Sequence, residues 1–417
     1  MSIVDRVLPL NKPGGAKKSG LKEKQLENWK MSQIEVDQEN SEYGKISQQA
    51  IDRIKFHLGK VYPIELPFIR DVNQDSITHV AHAIGDDNPL WTNREYAKHS
   101  RFGKLVAPPA LLYGVAWGSW DLRRGQGLPG INVMYSKEHW RYFQPLIEGD
   151  EVHATKEIIS LDDRNSKWPG RSMLQLLRIR FYNQRDEQVA FCDNYLIRSE
   201  RETGEHWKNI KAIYTDDEID QIDREIAEED IRGDNPRYFE DVNIGDAMQP
   251  IVRGPLTVSD MICWLMGVGS PHLRSGQFWL KYRQRSPKVA VRDPETRIPQ
   301  NVEASHWDRN IALEIGMPVR GYDYAAQCGG WAMSFLTNWA GDDGWVSECD
   351  IQYLGMNFLG DVQRIKGEVV SKWISENGIA YIECKVFSIN QRGENIMAVR
   401  GMVALQQKDK PIFTLPL

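Results

Sequence analysis

NQRDE at residues 183–187 returns as NQRGE at residues 390–394, and this repeated segment decides how the chain folds. Upstream of the two copies, QPLIEGDEV (144–152) has a loose counterpart in MNFLGDVQ (356–363). The order of the segments is preserved and the spacings between them are similar. A repeated order of this kind predicts one fold used twice in tandem.

The segments around the first copy predict the elements of that fold. Residues 152–159, 173–182 and 189–197 are rich in aromatic and branched side chains and are separated by Gly, Asp and Asn, which favours antiparallel strands. The apolar run 110–117 follows Pro108-Pro109, which a helix tolerates in its first turn, and predicts a buried helix. We therefore predict an α+β protein of two tandem hotdog domains, each an antiparallel sheet wrapped around a long central helix.

Composition sets the predicted domain boundaries. Residues 1–45 are polar and charged and form an extension; residues 46–200 form the N-terminal hotdog domain and residues 236–417 the C-terminal one. Residues 201–235 form the linker. Within it, residues 216–230 contain nine acidic residues and a single basic one, Arg224, which predicts a solvated helix. We expect the two domains to pack sheet to sheet as a pseudo-dimer that itself dimerises.

Charge and cysteine usage narrow the class of protein. A net charge of −6 gives no global attraction to nucleic acid or to an anionic membrane. The five cysteines are odd in number and contain no CxxC pair, which is typical of reduced thiols in the cytoplasm. No window approaches a membrane-spanning length. These features predict a soluble cytoplasmic protein without nucleic-acid or membrane partners.

At the loop IGDDNPLW (84–91) the chain resembles the MaoC-like dehydratase family, which includes the (R)-specific enoyl-CoA hydratases. Members have a motif Asp-x4-His whose side chains hold and activate a water beside an enoyl thioester. In this first half Asp86 matches the motif Asp, but Trp91 stands where the His is expected. The resemblance implies an inactive copy, with Asp86 and Trp91 in the wall of the substrate tunnel.

The second half is similar to the same motif in NVEASHWD (301–308). His306 matches the motif His and would be the principal acid/base, while Asn301 stands in place of the Asp. An amide orients a water but accepts no proton, so Glu303, three residues before His306, is the nearest substitute.

Residues after this motif match the family as well. Asp308 matches a residue of the helix that follows the motif in the family, and we assign Asp308 to the substrate tunnel. Gly321 and Tyr322 match the helix start that supplies amide donors to the thioester oxygen, where they would stabilise an enolate.

The resemblance implies a hydratase or dehydratase acting on an enoyl-CoA or 3-hydroxyacyl-CoA thioester, without a metal or redox cofactor, in a homodimer. Two alternatives stay open. One is another hotdog thioester enzyme, a thioesterase or isomerase, and the other is a non-catalytic protein that binds acyl-CoA or scaffolds other subunits.

Two further features carry weaker predictions. Residues 270–300 interleave basic and aromatic side chains, which suits the phosphates and adenine of CoA but suits a plain surface loop equally. His79 and His82 have the spacing of a metal pair, but no acidic or thiol partner accompanies them, so we expect no metal site. The nucleophile motif GxSxG does not occur.

Overall fold

Ten strands form one antiparallel sheet in the computed structural model of the chain, which describes residues 44–117, 128, 130–164, 170–201 and 211–416. The strands are β1 (Val61–Pro63), β2 (Asn132–Tyr142), β3 (Val152–Arg164), β4 (Ser172–Asn183), β5 (Gln188–Ser199), β6 (Ala247–Arg253), β7 (Ala290–Arg292), β8 (Pro299–Asn301), β9 (Trp345–Tyr353), β10 (Gln363–Ile374), β11 (Ala380–Asn390) and β12 (Asn395–Leu405). β7 and β8 pair separately as a small hairpin.

The strand order shows the duplication directly. The large sheet runs β1-β3-β4-β5-β2-β9-β12-β11-β10-β6. Its first five strands and its last five therefore have the same internal order, and the two halves meet where β2 pairs with β9 through five residue pairs, from Lys137↔Gln352 to Arg141↔Glu348. The predicted fold is confirmed, but the expectation of sheet-to-sheet packing is wrong, because the half-sheets join edge to edge.

Ten α-helices lie within the described residues. They are α1 (Gln48–Lys55), α2 (Gln74–Ile84), α3 (Pro89–Thr92), α4 (Arg94–His99), α5 (Leu111–Ala116), α6 (Asp216–Ala227), α7 (Val258–Val268), α8 (Gly276–Arg285), α9 (Arg309–Glu314) and α10 (Ala325–Ala340). None of these helices is long and apolar enough to cross a membrane.

The central helix of the second half is α10, and nearly all of its residues are buried. It lies so close to the sheet that a Cβ on Gly401 of β12 would come within 2.7 Å of Leu336. Its counterpart α5 is also buried, and residues 118–127 beyond it lie outside the described residues. A long central helix is therefore confirmed in the second half, and in the first half its described part is six residues long.

The repeated NQRxE segments form the same turn twice. The Asn183 side chain accepts hydrogen bonds from the amides of Arg185 and Glu187 and donates to the Glu187 carboxylate. Asn390 makes the corresponding three bonds with Arg392 and Glu394. The sequence repeat is thus a repeated hairpin turn, between β4 and β5 and between β11 and β12.

The acidic linker helix is observed as α6, which begins at a capping box formed by Thr215 and Glu218. It is less solvated than we expected, since Ile222 is buried against Val252 and Val362. Residues from Gly44 onward form one compact unit, and the predicted boundaries at 200 and 236 remain predictions. Residues 1–43 of the predicted extension lie outside the described residues.

The carboxylate of Asp361, which precedes β10, is fully buried and accepts hydrogen bonds from two guanidinium groups, of Arg320 and Arg392. Asp361→Asn removes the charge that compensates both cations. We expect the free energy of unfolding, measured by urea titration, to fall by about 3–5 kcal/mol.

Asp150, the equivalent residue of the first half, is the matched control. It accepts bonds from Gln184 and from the Ile147 amide, both uncharged. Asp150→Asn should therefore cost only about 1 kcal/mol. Equal losses in the two variants would contradict the role of the buried charge.

Candidate active site

A short 3-10 helix, Val302–His306, brings together the two side chains that the sequence singled out as acid and base. A 3-10 helix has three residues per turn, so side chains at positions i and i+3 lie one above the other. Glu303 and His306 have this spacing. Both contact Tyr324: its hydroxyl donates to the Glu303 carboxylate at 3.2 Å, and its ring stacks on the imidazole with centroids 4.1 Å apart.

Glu303 is buried, with 6% of its surface exposed. Its carboxylate accepts hydrogen bonds from the hydroxyls of Ser270 at 2.5 Å and Tyr324 at 3.2 Å. Burial raises the pKa of Glu303 to about 7, although both hydroxyls favour the ionised form. Near neutral pH this carboxyl can therefore either donate or accept a proton, as a general acid or base requires.

His306 is held in one tautomer. Its Nδ1 lies 2.9 Å from the Tyr322 carbonyl oxygen, which can only accept a hydrogen bond. Nδ1 therefore holds the hydrogen, and Nε2 presents a lone pair. Burial lowers the pKa of His306 to about 4, so the ring is neutral at physiological pH. A neutral imidazole is able to take a proton from water through the ring nitrogen that carries no hydrogen.

Gly321 and Tyr322 do not occupy the predicted helix start. The helix α10 begins at Ala325 with Tyr324 as its N-cap, and no side chain caps it. The Tyr322 amide instead donates to the His306 carbonyl at 3.1 Å. Gly321 has a φ of +81°, and a Cβ there would come within 2.9 Å of that same carbonyl oxygen. These two residues position His306. At the start of α10 the Gln327 amide donates to the Tyr324 carbonyl at 2.8 Å, so the amides without an intrahelical acceptor are those of Ala325 and Ala326.

Asn301 and Asp308 are helix caps. The Asn301 side chain accepts from the Glu303 amide and donates to the His272 carbonyl, so both ends of the amide have partners. The Asp308 carboxylate accepts from the amides of Asn310 and Ile311 at the start of α9. Each end of the Asn301 amide keeps one further hydrogen-bonding position. The predicted roles of Asn301 beside a water and of Asp308 in the tunnel remain predictions.

The first-half motif has the same local structure but lacks the imidazole. Asn93 caps α4 as Asp308 caps α9, and Trp91 precedes Asn93 by two residues as His306 precedes Asp308. The motif alignment of Trp91 with His306 is thus matched by the local structure. Asp86 is buried and accepts from the Asn88 amide and the Asn338 side chain.

Trp91 lines a mostly apolar cavity of about 60 Å³. Leu90, Phe102, Leu111, Thr337 and Asp342 are among its other walls. Thr337 is thirteen residues along α10 from Tyr324, which is about 20 Å of helix. Trp91 therefore lies toward the end of α10 opposite to Tyr324, and Asp86 is not among the residues that line this cavity. The tunnel role of Trp91 and Asp86 remains a prediction.

Sequence reasoning missed Ser270 and Tyr324. Ser270 is 33 positions from Glu303 in the chain, so no local pattern could pair them. Tyr324 directly follows the Gly321–Asp323 stretch, and its helix-start position was the available signal. No group of three or more His, Cys, Asp or Glu residues within the described ranges is arranged to hold a metal. The five cysteines form no disulfide, and Cys263 is exposed rather than packed.

Comparison with known sequences supports the family. Residues 66–191 match the family described as "FAS1-like, dehydratase domain region". A UPF0336 protein of Parafrankia sp. (strain EAN1pec) is 30% identical over 136 residues, which cover 32% of this chain and 85% of that protein. A UPF0336 protein of Streptomyces avermitilis is 28% identical over 111 residues, or 25% of this chain and 70% of that protein.

Comparison with solved structures shows the same fold over most of the chain. A MaoC-like dehydratase superposes with a TM-score of 0.59 at 16% identity, covering 85% of this chain and all of that one. A conserved hypothetical protein of Mycobacterium tuberculosis with a double hotdog fold gives a TM-score of 0.51 at 11% identity, covering 87% of this chain and 98% of that one. The chain belongs to the UPF0336 family, and it has the double hotdog fold of these solved structures.

Proposed function

We propose that the chain catalyses the reversible addition of water to an enoyl-CoA thioester, giving a 3-hydroxyacyl-CoA. The observation that carries this proposal is the pairing of Glu303 and His306 on one face of a 3-10 helix, with Tyr324 in contact with both. The family supports a hydratase or dehydratase in general, and CoA as the carrier is part of the proposal. So are the homodimer and the cytoplasmic location, which rest on the family resemblance and on composition.

The protonation states suit hydration between about pH 4 and about pH 7. Nε2 of neutral His306 takes a proton from water as the water oxygen bonds to C3 of the enoyl group. Protonated Glu303 gives its proton to C2, and the electron pair of the double bond forms the new C2–H bond. The resulting imidazolium and carboxylate return to their starting states by proton exchange with solvent. Dehydration follows the same steps in reverse.

The thioester oxygen needs hydrogen-bond donors while it holds enolate charge. The amides of Ala325 and Ala326, in the first turn of α10, have no intrahelical acceptor and lie at the positive end of a 16-residue helix. Because Tyr324 is both the N-cap of this helix and the neighbour of Glu303 and His306, donors and acid/base groups meet at one place. Such preorganised donors are a large part of catalysis on thioesters. No redox cofactor is needed, since adding water leaves the oxidation state of the substrate as a whole unchanged. We propose that the acid/base pair and the amides act without a metal.

The first test is mass spectrometry of short, medium, branched and dicarboxylic enoyl-CoAs incubated with the wild type and with His306→Ala. We expect the wild type to add one water to at least one of them. The variant should lose about 10²–10⁴-fold in rate, because the base is gone. His82→Ala, which removes an exposed histidine outside the site, should leave the rate unchanged.

Each other outcome of this test identifies one of the alternatives. Release of free CoA would indicate a thioesterase, and a product of unchanged mass with a shifted double bond would indicate an isomerase. No reaction with any thioester, combined with measurable binding, would favour the non-catalytic alternative.

The pH dependence of kcat/KM for hydration provides a second test. The rate should rise as pH increases through about 4, where His306 becomes neutral, and fall as pH increases through about 7, where Glu303 loses its proton. In Glu303→Gln the residual rate should no longer fall near pH 7, because Gln does not titrate. A fall that persists in this variant would assign the alkaline limb to another group.

Stability tests the Glu303 pKa without any activity. The folded pKa of about 7 lies above the ordinary value of 4.5, so the folded state binds this proton more tightly than the unfolded state. The stabilisation is fully present below about pH 4.5 and is lost as pH rises through about 7. From about pH 5 to about pH 8 the unfolding free energy of the wild type should fall by up to about 3 kcal/mol relative to Glu303→Gln. Parallel pH curves for the two proteins would contradict the raised pKa.

A further inference from the structure

The segment from Met261 to Arg292 has no Asp or Glu and six Lys or Arg residues. The whole chain has a net charge of −6, so this segment departs in sign from its surroundings. The basic residues are Arg274, Lys281, Arg283, Arg285, Lys288 and Arg292. A local positive field of this kind attracts an anionic ligand to one place on an otherwise acidic protein.

The helix α8 presents three of these side chains to solvent. None of its ten residues is buried, and Phe278 is 75% exposed. Lys281 and Arg285 are four residues apart, where like charges repel. None of the α8 cations forms an ion pair with another residue that the structure describes. This unrelieved repulsion costs stability, and a bound anion would relieve it.

Aromatic rings lie among the cations of α8. The Arg283 guanidinium lies 5.9 Å from the Trp279 ring centre, and the Arg285 guanidinium lies 5.9 Å from the Tyr282 ring centre. Guanidinium groups bind phosphate through paired hydrogen bonds, and aromatic rings stack on nucleobases. The helix therefore combines the two chemistries that a nucleotide phosphate requires.

Hydrogen bonds join this segment to the candidate active site. The Ser270 hydroxyl donates to Glu303 at 2.5 Å, and the Asn301 side chain donates to the His272 carbonyl at 2.7 Å. The His272 ring in turn lies 3.1 Å from the Tyr282 hydroxyl of α8. Hydrogen bonds thus connect α8 and the residues just before it to Glu303 and to Asn301.

We propose that α8 binds the phosphates and adenine of the CoA carrier while the acyl group reaches Glu303 and His306. This inference rests on the proposed function and adds to it the element that recognises the carrier. Arg283 and Arg285 bind the phosphates, and Trp279 or Tyr282 contacts the adenine. Recognition through α8 acts on substrate binding and not on the chemical step.

The experiment compares one acyl group on two carriers, CoA and pantetheine, which lacks the nucleotide. Wild-type enzyme should have a higher kcat/KM for the CoA thioester. In Arg283→Glu/Arg285→Glu the KM for the CoA thioester should rise about tenfold or more with kcat little changed, and kcat/KM for the pantetheine thioester should stay the same. Because α8 buries no residue, this variant should keep the wild-type melting temperature.

Lys98→Glu/Lys410→Glu makes the same change in net charge at two exposed lysines elsewhere and should leave both substrates unaffected. Equal turnover of the two carriers by the wild type, or an equal loss of both in the α8 variant, would overturn the inference. So would preference for an acyl group on an acidic carrier protein over CoA.

If the wild type turned over neither thioester, the proposed function would fail, and the binding site would still be tested separately. Adenosine 3′,5′-bisphosphate should bind the wild type in calorimetry, and binding should weaken about tenfold or more in the α8 variant and remain in the lysine control. Absence of binding to the wild type would overturn the assignment of α8.

Discussion

Pairing of β2 with β9 is the constraint on which the rest of the structure depends. Each half-sheet would otherwise end in a strand with unpaired backbone groups, which is a site for aggregation. Their pairing joins ten strands into one sheet and fixes how the two halves face each other. Glu138 of β2 is fully buried at this junction and accepts hydrogen bonds from Tyr113 of the first half and Tyr353 of the second. Burial raises the pKa of Glu138 to about 7, while the hydroxyl donors from both halves favour its ionised form.

The junction also determines where the candidate active site lies. Nearly all residues of α10 are buried, and its first turn lies beside His306 and its last turn beside the first-half cavity. The 3-10 helix that holds Glu303 and His306 is fixed at that first turn through Tyr324 and through the bond from the Tyr322 amide to the His306 carbonyl. A neutral imidazole and a carboxyl with a pKa near 7 both result from burial at this position. Fold and chemistry are therefore linked by the position of one helix end.

Local sequence patterns predicted the strands, helices and turns. The features that these patterns missed depend on contacts between residues far apart in the chain. The NQRxE repeat predicted the duplication because the turn it forms is made by neighbouring residues. The spacing of Glu303 and His306 predicted their common face for the same reason. Edge-to-edge joining of the half-sheets could not be predicted, since no residue pattern distinguishes an edge that pairs with its own repeat from one that packs under another sheet. The Ser270 contact and the occupied Tyr322 amide likewise depend on segments far apart in the chain.

The position of the family's motif Asp has one structural role in both halves. Asp86 accepts a hydrogen bond from the amide two residues later, and Asn301 does the same. An Asn fulfils this turn-forming role as well as an Asp does, so the change to Asn301 leaves the local backbone intact. The residue that receives this bond is Asn88 in the first half and Glu303 in the second, and Glu303 restores a carboxylate on the face where His306 lies. The first half has an amide at that place and Trp91 instead of the imidazole, so neither proton-transfer group is present there. The two halves thus kept one turn geometry. The first half retains the motif carboxyl at Asp86 without an imidazole, and the second combines the His306 imidazole with the Glu303 carboxyl.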